Sequence, residues 1–240
     1  VAYPLPVAHD LCDCTVKVEV TGVNGLDNDA DELTVASGSG VVLKYVPRHL
    51  ALVEEFTGTW CGWCPAGYVA MEKMSELYPD FIGIAYHDRD PMTMRDGYPI
   101  IASGFPQVAI SRRFVTHPYE ATGLAGVFTL PQVWEQYCSG FVPVGIELDA
   151  AWDEDSRTVT VNSSVEWVLP PDDPDADYRM QYVLVADDLT GTGRAWSQHN
   201  YYCTEPMTPF MEQFCNGDSY VAGLHYNDVA ILATGTSGVP

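Results

Sequence analysis

Two cysteines separated by two residues, Cys61-Gly62-Trp63-Cys64, form the segment of this chain best suited to chemistry. That spacing brings both sulfurs within bonding reach on one helical turn, where they can open and close a disulfide against a partner's thiols. A strand running into such a pair at a helix start sets the first sulfur beside unsatisfied backbone N–H groups and the positive end of the helix dipole. A thiol so placed can titrate at roughly 3.5 to 7.5 instead of about 8.5. Cys61 is therefore expected to attack and Cys64, on the first turn, to resolve the mixed disulfide. Two rival readings stand beside this one. The pair can be a fixed disulfide in a binding module, or part of a zinc site completed by Cys12 and Cys14, although one intervening residue is awkward for tetrahedral ligation.

The remaining cysteines are Cys138, Cys203 and Cys215. Seven in all is many for a reducing compartment, so the chain is expected in the periplasm, at the outer-membrane surface or secreted. Cys203 and Cys215 flank a short stretch and are expected to pair, and one of Cys12 or Cys14 is expected to reach Cys138. Alternate acids at Asp27, Asp29 and Asp31, and again at Asp173, Asp175 and Asp177, present oxygens as calcium loops do. Neither run continues with the glycine and distal glutamate of an EF-hand, and solvated acidic turns explain them as well. Met92 and Met94 read as packing rather than copper ligands. His87 reads as a loop histidine solvated among Asp88, Arg89 and Asp90, with thiolate stabilisation as the alternative. There is no Gly-x-Ser-x-Gly elbow, phosphate loop or dinucleotide fingerprint.

The elements that must position the pair are legible from periodicity. A largely apolar run over 50–56 reads as a buried strand, and Ala66, Val69, Ala70, Met71, Met74 and Leu77 recur at helical spacing up to Pro79. A second strand is expected over 81–86, a hairpin over 107–110 and 113–116, and a helix over 130–137. Before these, alternation between Cys14 and Val46 suggests a small β segment. After Cys138-Ser139-Gly140, strands over 144–152, 158–169 and 179–186 joined by Asp-, Pro- and Gly-rich loops suggest a β-sandwich, with Trp152, Trp167 and Trp196 as its core or as surface anchors. The aromatic-rich stretch over 200–240 follows no clear period. The expected organisation is thus a β segment over 1–47, an α/β domain over 48–140 and an all-β domain over 141–240.

Eleven Lys plus Arg against 33 Asp plus Glu give a net charge of −22, which repels nucleic acid and anionic lipid. No apolar run approaches the roughly 20 residues that span a bilayer. Association with a cell surface stays open.

The run Val53-Glu54-Glu55-Phe56-Thr57-Gly58-Thr59-Trp60-Cys61-Gly62-Trp63-Cys64-Pro65 resembles the thioredoxin superfamily and, more narrowly, thioredoxin-like outer-membrane or secreted proteins of Bacteroidetes. The resemblance covers about residues 50–138. It implies a central mixed sheet with flanking helices and exchange with protein thiols or disulfides, with no cofactor beyond the redox-active disulfide itself. It also implies that Glu55, in place of the usual aspartate, is the buried acid under the cysteine pair, carrying a proton to or from Cys64. Gly104-Phe105-Pro106 is similar to the superfamily's cis-proline loop, which faces the disulfide. Trp60 and Gly62 match the family pattern; Trp63 stands where proline is common and Pro65 where a basic residue is common, and such neighbours set the redox potential.

Overall fold

Alternation of valines with polar residues near the start of the chain produces an antiparallel pair. In the computed structural model, which describes residues 12–19, 22–23, 26–27, 35–95, 102–171, 173–235 and 238, strand β1 (Cys12–Glu19) comes first. A short hairpin of β2 (Gly22–Val23) and β3 (Leu26–Asp27) follows, and β4 (Val35–Val42) pairs with β1 from Cys12 opposite Val42 to Glu19 opposite Val35.

The apolar run before the cysteines forms β5 (Val53–Thr57), buried at every residue. Helix α1 (Pro65–Leu77) begins with Pro65, whose missing N–H costs nothing at a helix start, and stops before Pro79. Its inward stripe includes Val69, Ala70 and Met74; fully burying an aliphatic side chain such as Met74 stabilises the fold by about 1.5–3 kcal/mol. Strand β6 (Gly83–His87) lies parallel to β5, whereas β7 (Gln107–Ile110) and then β8 (Phe114–Thr116) add antiparallel on the other side. Ser111 and Arg112 join β7 to β8 with φ of 48° and 54°, the left-handed conformation that tight hairpins need. Helix α2 (Leu130–Cys138) packs through Trp134, whose buried indole N–H donates to Ala51 O at 2.7 Å.

Beyond α2 the observed architecture departs from a sandwich. Strands β9 (Val144–Asp153) and β10 (Thr158–Trp167) form a two-stranded hairpin with Ile146 opposite Val165 and Trp152 opposite Val159. The apolar stripe stays exposed, Leu148 at 60% and Trp152 at 59%, so Trp152 is not a core residue. Lys44 and the Tyr45 hydroxyl both bond the Glu166 carboxylate, at 3.0 and 3.1 Å. Period-two alternation specifies a strand and its faces; it does not specify which sheet the strand joins.

The strands after 176 join the first sheet instead. Strand β11 (Val183–Ala186) pairs antiparallel with β14 (Val229–Ala233), and β14 runs parallel to β6. The result is a six-stranded mixed sheet of order β11-β14-β6-β5-β7-β8 with β5 and β6 at its centre. Between β11 and β14 lie β12 (Gln198–His199), β13 (Tyr220–Val221), which pair with each other, and a one-turn helix α3 (Glu212–Cys215). The chain therefore divides as Val1–Arg48 with Phe141–Asp175, and His49–Gly140 with Ala176–Pro240, rather than at 47 and 140 alone. The protein is mixed α/β with few helices and many strands. Among the described residues no helix is long and apolar enough to cross a membrane.

Candidate functional site

Cys61 and Cys64 stand between the end of β5 and the start of α1, bonded to each other with Cα atoms 5.3 Å apart. Local backbone bonds wind the segment: Cys61 N–H donates to Gly58 O at 3.0 Å, Cys64 N–H to Cys61 O at 3.2 Å, and Gly67 N–H to Cys64 O at 3.0 Å. Cys64 is fully buried. Cys61, the expected nucleophile, is only 5% exposed.

A strap from the region that sequence periodicity left unassigned lies against the cysteine loop. His199 N–H donates to Thr59 O at 2.7 Å and Tyr201 N–H to Gly62 O at 2.9 Å. The buried Gln198 amide donates to Cys61 O at 2.8 Å. Asn200 ties the strap down from behind, its amide donating to Phe214 O and Asp218 O at 2.8 and 2.9 Å. Trp63, 44% exposed, meets the rings of Tyr201 and Tyr202 edge-on, each at 5.3 Å. The Tyr201 ring lies so close to Gly62 that a Cβ there would stand 2.6 Å from it, which accounts for glycine between the cysteines.

The other side of the loop is held by the turn after β6. Trp60 donates its indole N–H to Asp88 O at 2.6 Å, carries the Arg89 guanidinium 4.4 Å above its ring and meets Phe105 at 5.5 Å. His87 is not the solvated loop residue expected: it ends a central strand and is 3% exposed. Its Nδ1 lies 2.7 Å from Asp90 Oδ2, which also accepts Thr59 N–H at 2.9 Å, while Oδ1 accepts Met92 N–H at 2.9 Å. One buried carboxylate thus ties the β6 end to the cysteine approach. An unmet buried donor costs about 1–3 kcal/mol, so Asp90→Ala is expected to lower unfolding free energy by about 3 kcal/mol in denaturant titration.

The adjacent acids of β5 point to opposite faces of the sheet, as alternation requires. Glu54, fully buried, accepts from Arg112 Nε and Nη2, each at 2.7 Å, and from the Tyr86 hydroxyl at 3.1 Å. Glu55 faces α1 instead. Its Oε1 is, among the described residues, the buried side-chain oxygen or nitrogen left without a hydrogen-bond partner. It lies against Gly67 on the first turn of α1, where any Cβ would collide with it. Burial pushes the Glu55 carboxyl up to about 8 from 4.5; the Thr57 hydroxyl opposes this and the Asp228 charge adds to it. With the disulfide closed, Glu55 therefore carries a proton at neutral pH.

The other singled-out residues divide. The Phe105–Pro106 peptide is cis, and Pro106 is buried at the entry to β7. Pro65 is the first residue of α1. Met92 and Met94 are buried in two different apolar clusters. Cys203 and Cys215 are thiols and are not joined: Cys203 Sγ donates to Asn200 O at 3.2 Å and Cys215 Sγ to Pro206 O at 3.7 Å, each satisfied locally. Cys138 is likewise a thiol, accepting Ala51 N–H at 3.3 Å. Cys12 and Cys14 lie on β1, but their side chains, like that of Asp27 on β3, fall outside the described residues, as do Asp29 and Asp31 altogether. Asp173 accepts Asp175 N–H at 3.0 Å and Asp177 pairs with Arg179 at 2.7 Å, both at the surface. No group of three or more His, Cys, Asp or Glu among the described residues is arranged to hold a metal.

Sequence reasoning found the cysteines and Glu55 but missed Gln198, Asn200, Tyr201, Asp90 and Asp228. The one local signal was the aromatic clustering around 196–202.

No protein-family model matches the chain, and no curated protein matches it. Among solved structures it is similar to HBP35 of Porphyromonas gingivalis, at 16% identity and a TM-score of 0.42 over 80% of this chain and 59% of that one. It is also similar to a structural-genomics protein of Agrobacterium tumefaciens, at 18% identity and a TM-score of 0.31 over 44% of this chain and 52% of that one. The chain spans between about half and three-fifths of the length of these two proteins. Both scores lie below 0.5, so the chemistry of the site is read from its own residues.

Proposed function

We propose that this chain is an extracytoplasmic thiol-disulfide oxidoreductase of thioredoxin-like architecture, acting on protein thiols or disulfides through Cys61 and Cys64. The observation that carries the reading is a Cys-x-x-Cys disulfide at a helix start above a buried, proton-bearing carboxyl, Glu55, whose Oε1 has no hydrogen-bond partner. The order β5, α1, β6 with parallel strands, then β7 and β8 antiparallel, supports the architecture. The closed Cys61–Cys64 disulfide supports the location.

A partner thiolate attacks Cys61 Sγ, forming a mixed disulfide as the Cys61–Cys64 bond breaks. The electron pair leaves on Cys64 Sγ, which takes the proton of Glu55. A second partner thiolate then attacks the partner's sulfur in the mixed disulfide, releasing an oxidised partner and the Cys61 thiolate; run backwards, the same steps reduce a partner disulfide. No cofactor is required.

The strap and the 5% exposure of Cys61 favour one competing reading, a fixed disulfide in a binding protein. Equilibration in glutathione buffers of stepped ratio, followed by acid quench and mass counting of alkylated thiols, separates the two. Cys61 and Cys64 are expected to pass together from disulfide to dithiol; a pair that stays closed at every ratio refutes the exchange reading. Glu55→Gln is expected to slow opening by a small thiol roughly a hundredfold near pH 7, because a buried amide has no proton to give.

A further inference from the structure

Behind the cysteine loop lies a cavity of about 460 Å³. Its floor holds Glu55, Thr57, Ala85 and His87, all buried, and its rim holds the exposed Glu76, Asp187 and Asn227. Half-way out stands Asp228, immediately before β14. Its position is fixed by backbone: Ala85 N–H donates to Asp228 O at 2.7 Å, and Asp228 N–H donates to Asp187 Oδ1 at 2.8 Å. Asp228 has φ +57°, a conformation that Asp and Asn adopt more readily than other side chains. A Cβ on Gly83 of β6 would stand 2.9 Å from Asp228 Oδ2, so this carboxyl lies directly on the central strands.

Resting on the exchange reading above, we propose that Asp228 sets the proton affinity of Glu55 from across this cavity, and that the cavity is the route by which Glu55 exchanges its proton with solvent. Asp228 is thus a positioning residue that acts through Glu55. The remaining ionisable groups facing the cavity are His87 from β6, Tyr68, Glu72 and Glu76 from α1, Asp187 after β11 and Tyr226 before β14. None is a lysine or arginine, and most of them are acids or phenols. Each proton that Glu55 passes to Cys64 must be replaced through a site with no internal hydrogen-bond partner for Oε1. Water in a cavity graded from buried floor to exposed rim supplies that path.

Burial and the Asp187 charge hold Asp228 up at about 6, still below Glu55. Between the two, Asp228 is an anion and Glu55 is neutral, the arrangement of two like-charged acids sharing one site. Removing the Asp228 charge therefore lets Glu55 ionise at lower pH. Asp228→Asn keeps the left-handed backbone and removes only the charge; Asp228→Ser is a second uncharged variant should the first fold poorly.

The test is a carboxyl-carbon NMR titration of the oxidised full chain, with Glu55→Gln identifying the Glu55 signal, alongside the pH profile of disulfide opening by a small thiol, normalised to thiolate. In Asp228→Asn the Glu55 midpoint is expected to fall by about one pH unit, and the pH at which opening slows should fall with it. An unchanged midpoint overturns the proposal, as does a loss of rate that is uniform in pH. If the midpoint falls but wild type opens at no pH, the exchange reading fails while the carboxyl pair stands.

Discussion

Cys64→Ser protein is expected to accumulate mixed disulfides with partner proteins through Cys61, while Cys61→Ser is expected to trap almost none. The asymmetry follows from the site. Cys61 precedes α1 and retains some exposure, whereas Cys64 is fully buried, bonded through its carbonyl into the helix, and on the turn beneath which Glu55 lies. Without Cys64 the first covalent adduct cannot be resolved, so it persists; without Cys61 the remaining thiol is out of reach. Non-reducing electrophoresis of each variant after incubation with an extract of secreted proteins checks this. Equal trapping by both variants would remove the assignment of roles.

The second large effect concerns stability. Arg112→Ala is expected to lower unfolding free energy by about 2–4 kcal/mol, because it strands the Glu54 carboxylate in the core. The guanidinium contributes two bonds of 2.7 Å to a fully buried partner, while the Tyr86 hydroxyl alone cannot neutralise the charge. Arg112 itself is 37% exposed, which places the loss below that of an entirely internal pair. Glu54→Gln in the Arg112→Ala background should recover part of it by discharging the stranded acid. Denaturant titration of the three variants reads both effects, and a loss of under about 1 kcal/mol would mean that solvent already screens Glu54.

What could be read in advance was local. β5, α1 and β7 follow from an apolar run, from helical spacing ended by Pro79, and from a short strand before a turn. All three signals lie within a few residues of the elements they specify. The neighbouring acids Glu54 and Glu55 show the limit. Alternation says that they face opposite ways, but it does not say that the β7–β8 turn brings Arg112 to Glu54 while Glu55 Oε1 is left without a hydrogen bond. The strap was invisible for a similar reason. It docks by backbone N–H groups and one glutamine amide onto carbonyls some 140 residues earlier, a contact with no period. Cys203 and Cys215 had the spacing of a bridge, yet each thiol is satisfied by a carbonyl of its own loop. The hairpin of β9 and β10 carries the alternation of sandwich strands without joining the main sheet, whereas β14 joins that sheet beside β6 and β11 follows at its edge.

Exchange chemistry at Cys61 and Cys64 is read most simply from the rate at which the whole chain trades with a model thiol or disulfide. Fully reduced protein is mixed with a small disulfide, and fully oxidised protein with a small dithiol, on both sides of neutral pH. Both reactions are expected to run faster than with an equal concentration of a simple thiol or disulfide, and both are expected to vanish in Cys61→Ser. If neither form reacts faster than those small molecules at any pH, Cys61–Cys64 is a structural bridge and the enzymatic reading is contradicted.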